Sequence, residues 1–254
     1  MSGPVESVET SPEWKSPPDD LELKAAEVHV WRARLDASPA ATSNFHELLS
    51  NDERERAARF HFDEHRRRFT AARGILRTLL GRYLESNPHD LRFEYSDHGK
   101  PFLVGTHTRD LRFNLSHSHE VALFGFTIGR DIGIDVEQIR SDRSTPEIAE
   151  RFFSRREVEA LFALPREQQT GGFFRCWTRK EAYIKAKGKG MSIPLDSFAV
   201  SLSPEEPASL LWVRDCAEEP ARWILREPQA ASGFAACLAA DDQPTEFQHW
   251  SWGS

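Results

Sequence analysis

FFRCWTRKEAYIK, residues 173–185, is the stretch around which the chain can be read. Taken as a helix, its 3.6-residue period sets Trp177, Glu181 and Lys185 on one side, four residues apart. Phe173, Phe174 and Ile184 supply apolar anchoring, and Gly188 with Gly190 stops the helix. Read alone, a Glu/Lys pair one turn apart is a plain ion pair. A second acidic pair upstream, in IGRDIGIDVEQI (128–139), changes its weight. There Ile132, Ile134 and Val136 alternate with Gly133, Asp135 and Glu137, the period-2 pattern of a strand. Asp135 and Glu137 therefore share a face, about 7 Å apart by the strand rise. Two carboxylates that close repel unless a cation lies between them, one is protonated, or both face open water. Hard oxygens of this kind suit magnesium, and Glu181 would complete a three-carboxylate site with positions open for a diphosphate. A solvated D-x-E face on an exposed strand is the plainer alternative.

Composition narrows the classes. The chain has 254 residues, 39% hydrophobic and 29% charged, enough for one sizeable domain or two small ones. It contains no run of 18 apolar residues, so no membrane-spanning helix is expected, and no secretory signal is visible. Cys176, Cys216 and Cys237 are odd in number and widely spaced, which fits a reducing cytoplasm rather than a zinc site or disulfides. Cys176 reads as a packing residue, not a nucleophile. A net charge of −7 argues against nucleic-acid binding by the molecule as a whole. Between Arg54 and Arg82, however, nine arginines face three acids, and such a segment wants a local anion or a solvated helix face.

Along the chain, residues 1–22 are proline-rich with few apolar side chains and read as a disordered tail. VHVWRARL (28–35) alternates as a first strand. Ser50 and Glu53 form a capping box, and a longer helix follows from Glu64 to Glu85. LRFEYSDHGKPFLV gives two short strands around Ser96–Gly99, and RFNLSHSHEVALFGFTI two more, broken at Ser116–His119. After the strand bearing Asp135 come a polar connector, RSDRSTP, and a helix from Pro146. Ser154 and Glu157 make a second capping box. FAVSL, LLWVRD, RWILRE and GFAACLA read as strands after the 173–185 helix. From this pattern alone the fold class is α+β.

GIDVE (133–137), WTRKEAYIK (177–185) and FNLSHS (113–118) resemble the three signature motifs of 4′-phosphopantetheinyl transferases, in the larger, surfactin-synthetase-type subfamily. GKP (99–101) and GKGMSIPLDSFAV (188–200) are similar to that subfamily in the same order, so the resemblance runs from about Phe45 to Val200. It implies two similar α/β halves related by a pseudo-two-fold, with the active site in the cleft between them. The expected division is a tail (1–22), an N-terminal half (23–129) and a C-terminal half (130–254).

The resemblance also implies an activity: transfer of the 4′-phosphopantetheine arm of coenzyme A to a serine of an apo acyl or peptidyl carrier protein, dependent on Mg²⁺, releasing adenosine 3′,5′-bisphosphate. Asp135, Glu137 and Glu181 would hold the metal. Glu181 would also be the general base, directly or through a metal-bound water, and both tasks stay open. Lys185 would place an ammonium on the phosphates. Lys180 would do likewise or sit on the surface. His117 would contact a coenzyme A phosphate with Ser116 donating to the same anion, while Lys100 and Pro101 lie by the nucleotide. Arg56 and Arg68 would grip the 3′-phosphate. A lysine expected three positions before Arg56 is here Glu53, so Arg54 or a neighbour is expected to substitute, or the grip to loosen. RFFSRREVEALF (151–162) is the expected carrier-docking helix, through Arg151, Arg155, Arg156, Phe152, Phe153 and Leu161. A cytoplasmic monomer is expected, with no nucleic-acid or membrane partner. The rival readings are a non-catalytic coenzyme A or carrier-binding module, a polyanion binder using the arginines, and another Mg²⁺-dependent transferase acting on a diphosphate donor.

Overall fold

Period-2 segments become strands and 3.6-period segments helices. The computed structural model describes residues 13–105, 110–141, 145–241, 244 and 246–253. In chain order β1 (Glu27–Arg34) leads to α1 (Pro39–Leu48), α2 (Asn51–Ala58) and α3 (Asp63–Leu84). Then come β2 (Arg92–Tyr95), β3 (Pro101–Val104), β4 (Leu111–Ser118), β5 (Val121–Ile128) and β6 (Ile132–Gln138). The second part holds α4 (Thr145–Phe152), α5 (Arg155–Ala163), α6 (Arg166–Lys187), β7 (Phe198–Val200) and β8 (Leu210–Val213). It closes with α7 (Glu219–Arg222), β9 (Trp223–Arg226), β10 (Phe234–Asp241) and β11 (Glu246–Ser251). The α+β class read from the sequence holds. Among the described residues no helix is long and apolar enough to cross a membrane.

Two larger sheets, β11-β1-β5-β4 and β6-β10-β9, pack back to back. Val28, Val30, Leu123, Ile132, Ile134, Val136 and Leu238 fill the layer between them. α3 covers the outer face of the first sheet, its Ile75, Leu76, Leu79 and Leu80 meeting Trp31, Phe113, Phe124 and Phe126. α6 covers the second with Phe173, Phe174, Ala182 and Tyr183 against Cys237 and Ala239. This arrangement explains why β5 and β10 are apolar on both faces: each alternate set of side chains has its own core to enter.

The same anchoring device occurs twice along the chain. Glu53 accepts from its own cap, the Ser50 N–H at 3.1 Å, and its carboxylate, fully shielded, also takes Arg73 and Arg77 of α3 at 2.6 Å each. Glu157 accepts from Ser154 N–H at 2.8 Å and takes Lys180 of α6 at 2.8 Å. Each short helix thus fastens to its long neighbour through the acid of its own capping box.

Several expectations change. The helix read at 173–185 extends back to Arg166 through Gly171 and Gly172, and Gly172 packs where a methyl would meet Leu164 at 2.6 Å. β4 runs on to Ser118, and only His119 and Glu120 turn, since Ser116 and Ser118 bond across to β6. α1, led by Ser38 and Pro39, and β11 were not anticipated. β11 pairs in parallel with β1, so the C-terminus joins the first sheet and crosses the expected division at 129/130. Residues 1–12 of the expected tail and 142–144 of the connector lie outside the described residues. The rest of the tail is fastened: Lys15 bridges Trp250, the Trp14 indole donates to the Gln229 carbonyl at 2.7 Å, and Arg32 lies over the Trp14 ring.

Removing one partner from a buried ion pair strands the other charge, which costs about 3–5 kcal/mol. Glu53→Ala should therefore lower unfolding stability by roughly that amount in urea titrations. Glu159→Ala, which breaks an exposed pair with Arg155, should cost under about 1 kcal/mol.

Candidate active site

The site begins with a missing side chain. Gly133 faces α6 so closely that a methyl there would sit 2.1 Å from Ala182 O and 2.3 Å from Ala186 N. β6 keeps its alternation, so Asp135 and Glu137 share Gly133's face and look toward the helix. Glu181 and Lys185, one turn apart on α6, come down on them. Lys185 Nζ lies 2.6 Å from Asp135 Oδ1, and it also reaches Ser116 Oγ at 3.0 Å and Ile134 O at 3.3 Å.

β4 stitches β6 from the other side, with alternate residues of its NLSHS run each taking one point. Asn114 Oδ1 accepts from the Ile134 N–H at 2.8 Å, Ser116 Oγ donates to Asp135 at 2.9 Å, and Ser118 Oγ donates to Glu137 at 3.0 Å. Asp135 is only 3% exposed, and its Oδ2 is buried without a partner among the described residues. Burial, then Asp135 and Glu137, raise the Glu181 pKa against the pull of Lys185. Among the described residues no trio of His, Cys, Asp or Glu closes around a metal-sized position. The donors nonetheless fit a hard divalent cation: three carboxylates gathered in one region, one of their oxygens shielded and lacking any hydrogen-bond donor.

Beside the carboxylates opens a cavity of about 320 Å³, lined by Arg56, Phe60, Phe69, Arg73, Tyr95, Gly99, Pro101, Ser116 and His117. His117 projects from the opposite face of β4 to Ser116. Desolvation by the surrounding walls and the charges of Lys185, Arg68 and His65 lower its pKa to about 4, so near neutral pH the imidazole is uncharged. Arg56 lies over the Phe69 ring, and among the described residues it has no ion-pair partner. Arg68 is held by Glu64 at 2.6 Å and Asp36 at 3.5 Å, with its charge still felt at His117.

Asp135, Glu137, Glu181, Lys185, Ser116 and His117 thus gather in one cleft, with Arg56 and Pro101 on the adjoining wall. Four of the expected contact residues have other partners in the fold. Lys180 is neither a phosphate contact nor a surface residue: it is fully buried on Glu157 and the carbonyls of Leu195 and Phe198. Lys100 is committed to the carbonyls of Ile132 and Ala186 rather than to the nucleotide wall, and burial lowers its pKa to about 8. Ser116 donates its hydroxyl proton to Asp135. Arg54 caps the carbonyls of His46 and Glu47 at the end of α1, so it does not replace the lysine expected at Glu53. In the proposed docking segment Phe153 and Leu161 are core, leaving Arg155, Arg156 and Phe162 outward.

Arg73 and His65 went unread in the sequence. The signal for Arg73 was a cation inside the apolar face of α3, between Phe69 and Leu76, where an arginine is kept only with a partner.

Residues 131–239 match the sequence profile described as the 4′-phosphopantetheinyl transferase superfamily, and residues 34–125 that of the 4′-phosphopantetheinyl transferase N-terminal region. The 4′-phosphopantetheinyl transferase HetI of Nostoc sp. is 46% identical over 198 residues, covering 78% of this chain and 83% of that protein. The 4′-phosphopantetheinyl transferase Sfp of Bacillus subtilis is 34% identical over 211 residues, covering 82% and 90% respectively. Among solved structures, Thermotoga maritima holo-[acyl-carrier-protein] synthase is 20% identical with a TM-score of 0.35, over 44% of this chain and 63% of that one.

The raised pKa of Glu181 fixes a sign. The folded chain holds this proton to higher pH than the unfolded chain, so the contribution of Glu181 to stability falls as pH rises from about 4.5 through its folded value. Without divalent metal, Glu181→Gln should be more stable than the unsubstituted chain at pH 7, and the difference should vanish below pH ~4 in denaturant titrations.

Proposed function

The chain belongs to the 4′-phosphopantetheinyl transferase superfamily, and from that premise we propose that this cleft moves the 4′-phosphopantetheine arm of coenzyme A onto the serine hydroxyl of an apo carrier protein. One observation carries the reading most. The close approach at Gly133 brings Glu181 and Lys185 of α6 onto Asp135 of β6, next to a cavity rich in cations. Carboxylates, an ammonium and an anion-favouring cavity in one place are what a diphosphate donor and a hydroxyl acceptor require.

In this reading the nucleotide of coenzyme A lies in the cavity of Arg56, Arg73 and His117. His117, neutral before binding, donates an N–H to a phosphate, and the anion favours its protonated form. Arg56 and Arg73 answer the 3′-phosphate in place of the lysine that Glu53 replaces. Arg73 can serve because Glu53 holds its Nε and one terminal nitrogen, Nη2, and so fixes the direction of the fork. Lys185 leans from Asp135 toward the diphosphate as a compact point charge.

The serine oxygen attacks the β-phosphorus. The bond from that phosphorus to the oxygen of the adenosine 3′,5′-bisphosphate breaks, and the serine proton passes to Glu181 as general base. A divalent ion held by Asp135, Glu137 and Glu181, magnesium by the hardness of those oxygens, supplies charge neutralisation on the diphosphate when bound. The carrier presents its serine against the outward Arg155 and Arg156 of α5, which suit an acidic partner. We place the protein in a reducing cytoplasm as a monomer, in keeping with its three free cysteines.

Losing one charge-assisted contact to the 3′-phosphate removes ten- to a hundredfold in affinity by the usual ~1.5–3 kcal/mol. Arg56→Ala should weaken coenzyme A by that factor in calorimetric titrations and leave dephospho-coenzyme A nearly unchanged. Equal affinity of the unsubstituted protein for the two ligands would remove the role given to these arginines. Reversing charge at Arg155 and Arg156 together should raise KM for the carrier several-fold while coenzyme A binding stays constant. An unchanged carrier KM would refute that docking face.

A further inference from the structure

GKP (99–101) and GKG (188–190) lie far apart in the chain and meet in the fold. The turn between β2 and β3 is stiff, with the Ser96 N–H on Lys100 O at 2.9 Å and the Gly99 N–H on Ser96 O at 2.8 Å. It is laid against the end of α6. Gly190, at φ +52°, sits where a methyl would meet His98 Cβ at 2.8 Å, and the Lys100 stem passes over Gly188, the left-handed cap of α6. The Lys100 ammonium then ends between two backbone carbonyls, Ile132 O at 3.0 Å and Ala186 O at 3.2 Å. The first belongs to the opening residue of β6 and the second to the last turn of α6. A cation there satisfies an orphan helix carbonyl and complements the negative end of the helix dipole.

Through its chain neighbours and its ammonium, Lys100 joins the hairpin at the cavity to the strand and helix that carry the carboxylates. Gly99 and Pro101, its chain neighbours, line the cavity with Arg56, Arg73 and His117. Ile132 and Ala186 lie together at one end of the strand–helix seam that carries Asp135, Glu137, Glu181 and Lys185. The residues on either side of Lys100 face the nucleotide cavity while its side chain leaves in the other direction, into a second cavity with Arg112, Phe113 and Lys187.

We propose that Lys100 is a positioning residue. Its ammonium clasps the nucleotide-side hairpin to the β6–α6 seam, and so sets the distance between the cavity that holds the nucleotide and the carboxylates that act on the diphosphate. The inference rests on the transferase reading of the cleft and adds to it a mechanical link, in which the two glycine–lysine motifs form one clasp. A displaced diphosphate is a costly error: misplacement by about 1 Å removes on the order of a hundredfold in rate.

Three variants test it: Lys100→Met, Lys100→Arg and Gly190→Ala. Coenzyme A affinity by calorimetry, kcat at saturating coenzyme A and carrier, and amide hydrogen exchange in β6 and the last turn of α6 are the readouts. The clasp predicts that all three variants lower kcat about ten- to a hundredfold, that coenzyme A affinity moves less than about threefold, and that exchange at the seam accelerates. Arginine should not rescue, because a planar guanidinium does not fit the slot that a compact ammonium fills between two carbonyls. A tenfold or larger loss of coenzyme A affinity in Lys100→Met with kcat intact, restored by Lys100→Arg, would make Lys100 a nucleotide contact and overturn the proposal. Gly190→Ala disturbs the clasp without touching Lys100, so should Lys100→Met not fold, an unchanged kcat in Gly190→Ala overturns it equally. Failure of the unsubstituted protein to bind coenzyme A would instead defeat the transferase reading, while seam exchange in the variants still reports on the clasp.

Discussion

Everything in the cleft depends on one helix lying against bare backbone. α6 reaches β6 where Gly133 has no side chain, and only at that separation can Lys185 stand 2.6 Å from Asp135 with Glu181 beside it. A methyl at Gly133 would meet backbone atoms, which cannot swing aside as a side chain can, so helix or strand would have to move. The chemistry is therefore set by a packing constraint. A strand with strict alternation shows its carboxylates to a helix whose polar stripe is one turn long, and a glycine brings them into contact.

A second constraint keeps that helix from drifting. The buried pair Glu157–Lys180 fastens α6 to α5, as Glu53 with Arg73 and Arg77 fastens α3 to α2. Such pairs are weak contributors to net stability, because desolvation offsets most of the attraction, yet they are exacting about geometry. That suits a protein whose long helices must deliver side chains to fixed points. In the first half the same device does a further task. Holding Arg73 by its Nε and Nη2 leaves it on the wall of the cavity beside the carboxylates, with Tyr95 at 3.0 Å. In the function proposed here the departure at Glu53 is compensated through α3, while Arg54 is taken up by the carbonyls of α1.

The legible parts of the sequence were those governed by local rules. The alternation of Ile132–Glu137, the turn spacing of Glu181 and Lys185 and both capping boxes follow from backbone periodicity, and the structure has them as read. What failed needed distant partners. Lys180 and Lys185 are five residues apart, about 140° around a helix, so one enters the core and the other the cleft. No local signal says that Glu157 waits for the first. β11 has no turn to pair it, and its parallel register with β1 is fixed only once the first sheet exists. For Lys100, likeness located the residue but not the direction of its side chain, which runs to the carbonyls of Ile132 and Ala186. Ser116 was half right: it belongs to the site, through Asp135.

The whole account stands on the claim that these side chains, brought together by one close helix–strand contact, catalyse transfer from coenzyme A to a carrier serine. The most direct measurement is the intact mass of an apo carrier protein incubated with this protein, coenzyme A and Mg²⁺. A gain of about 340 Da, the mass of one phosphopantetheine arm, is predicted on the carrier, abolished by Glu181→Gln. No gain across a panel of fatty-acid, polyketide and peptide carriers, or an undiminished gain with Glu181→Gln, would contradict it.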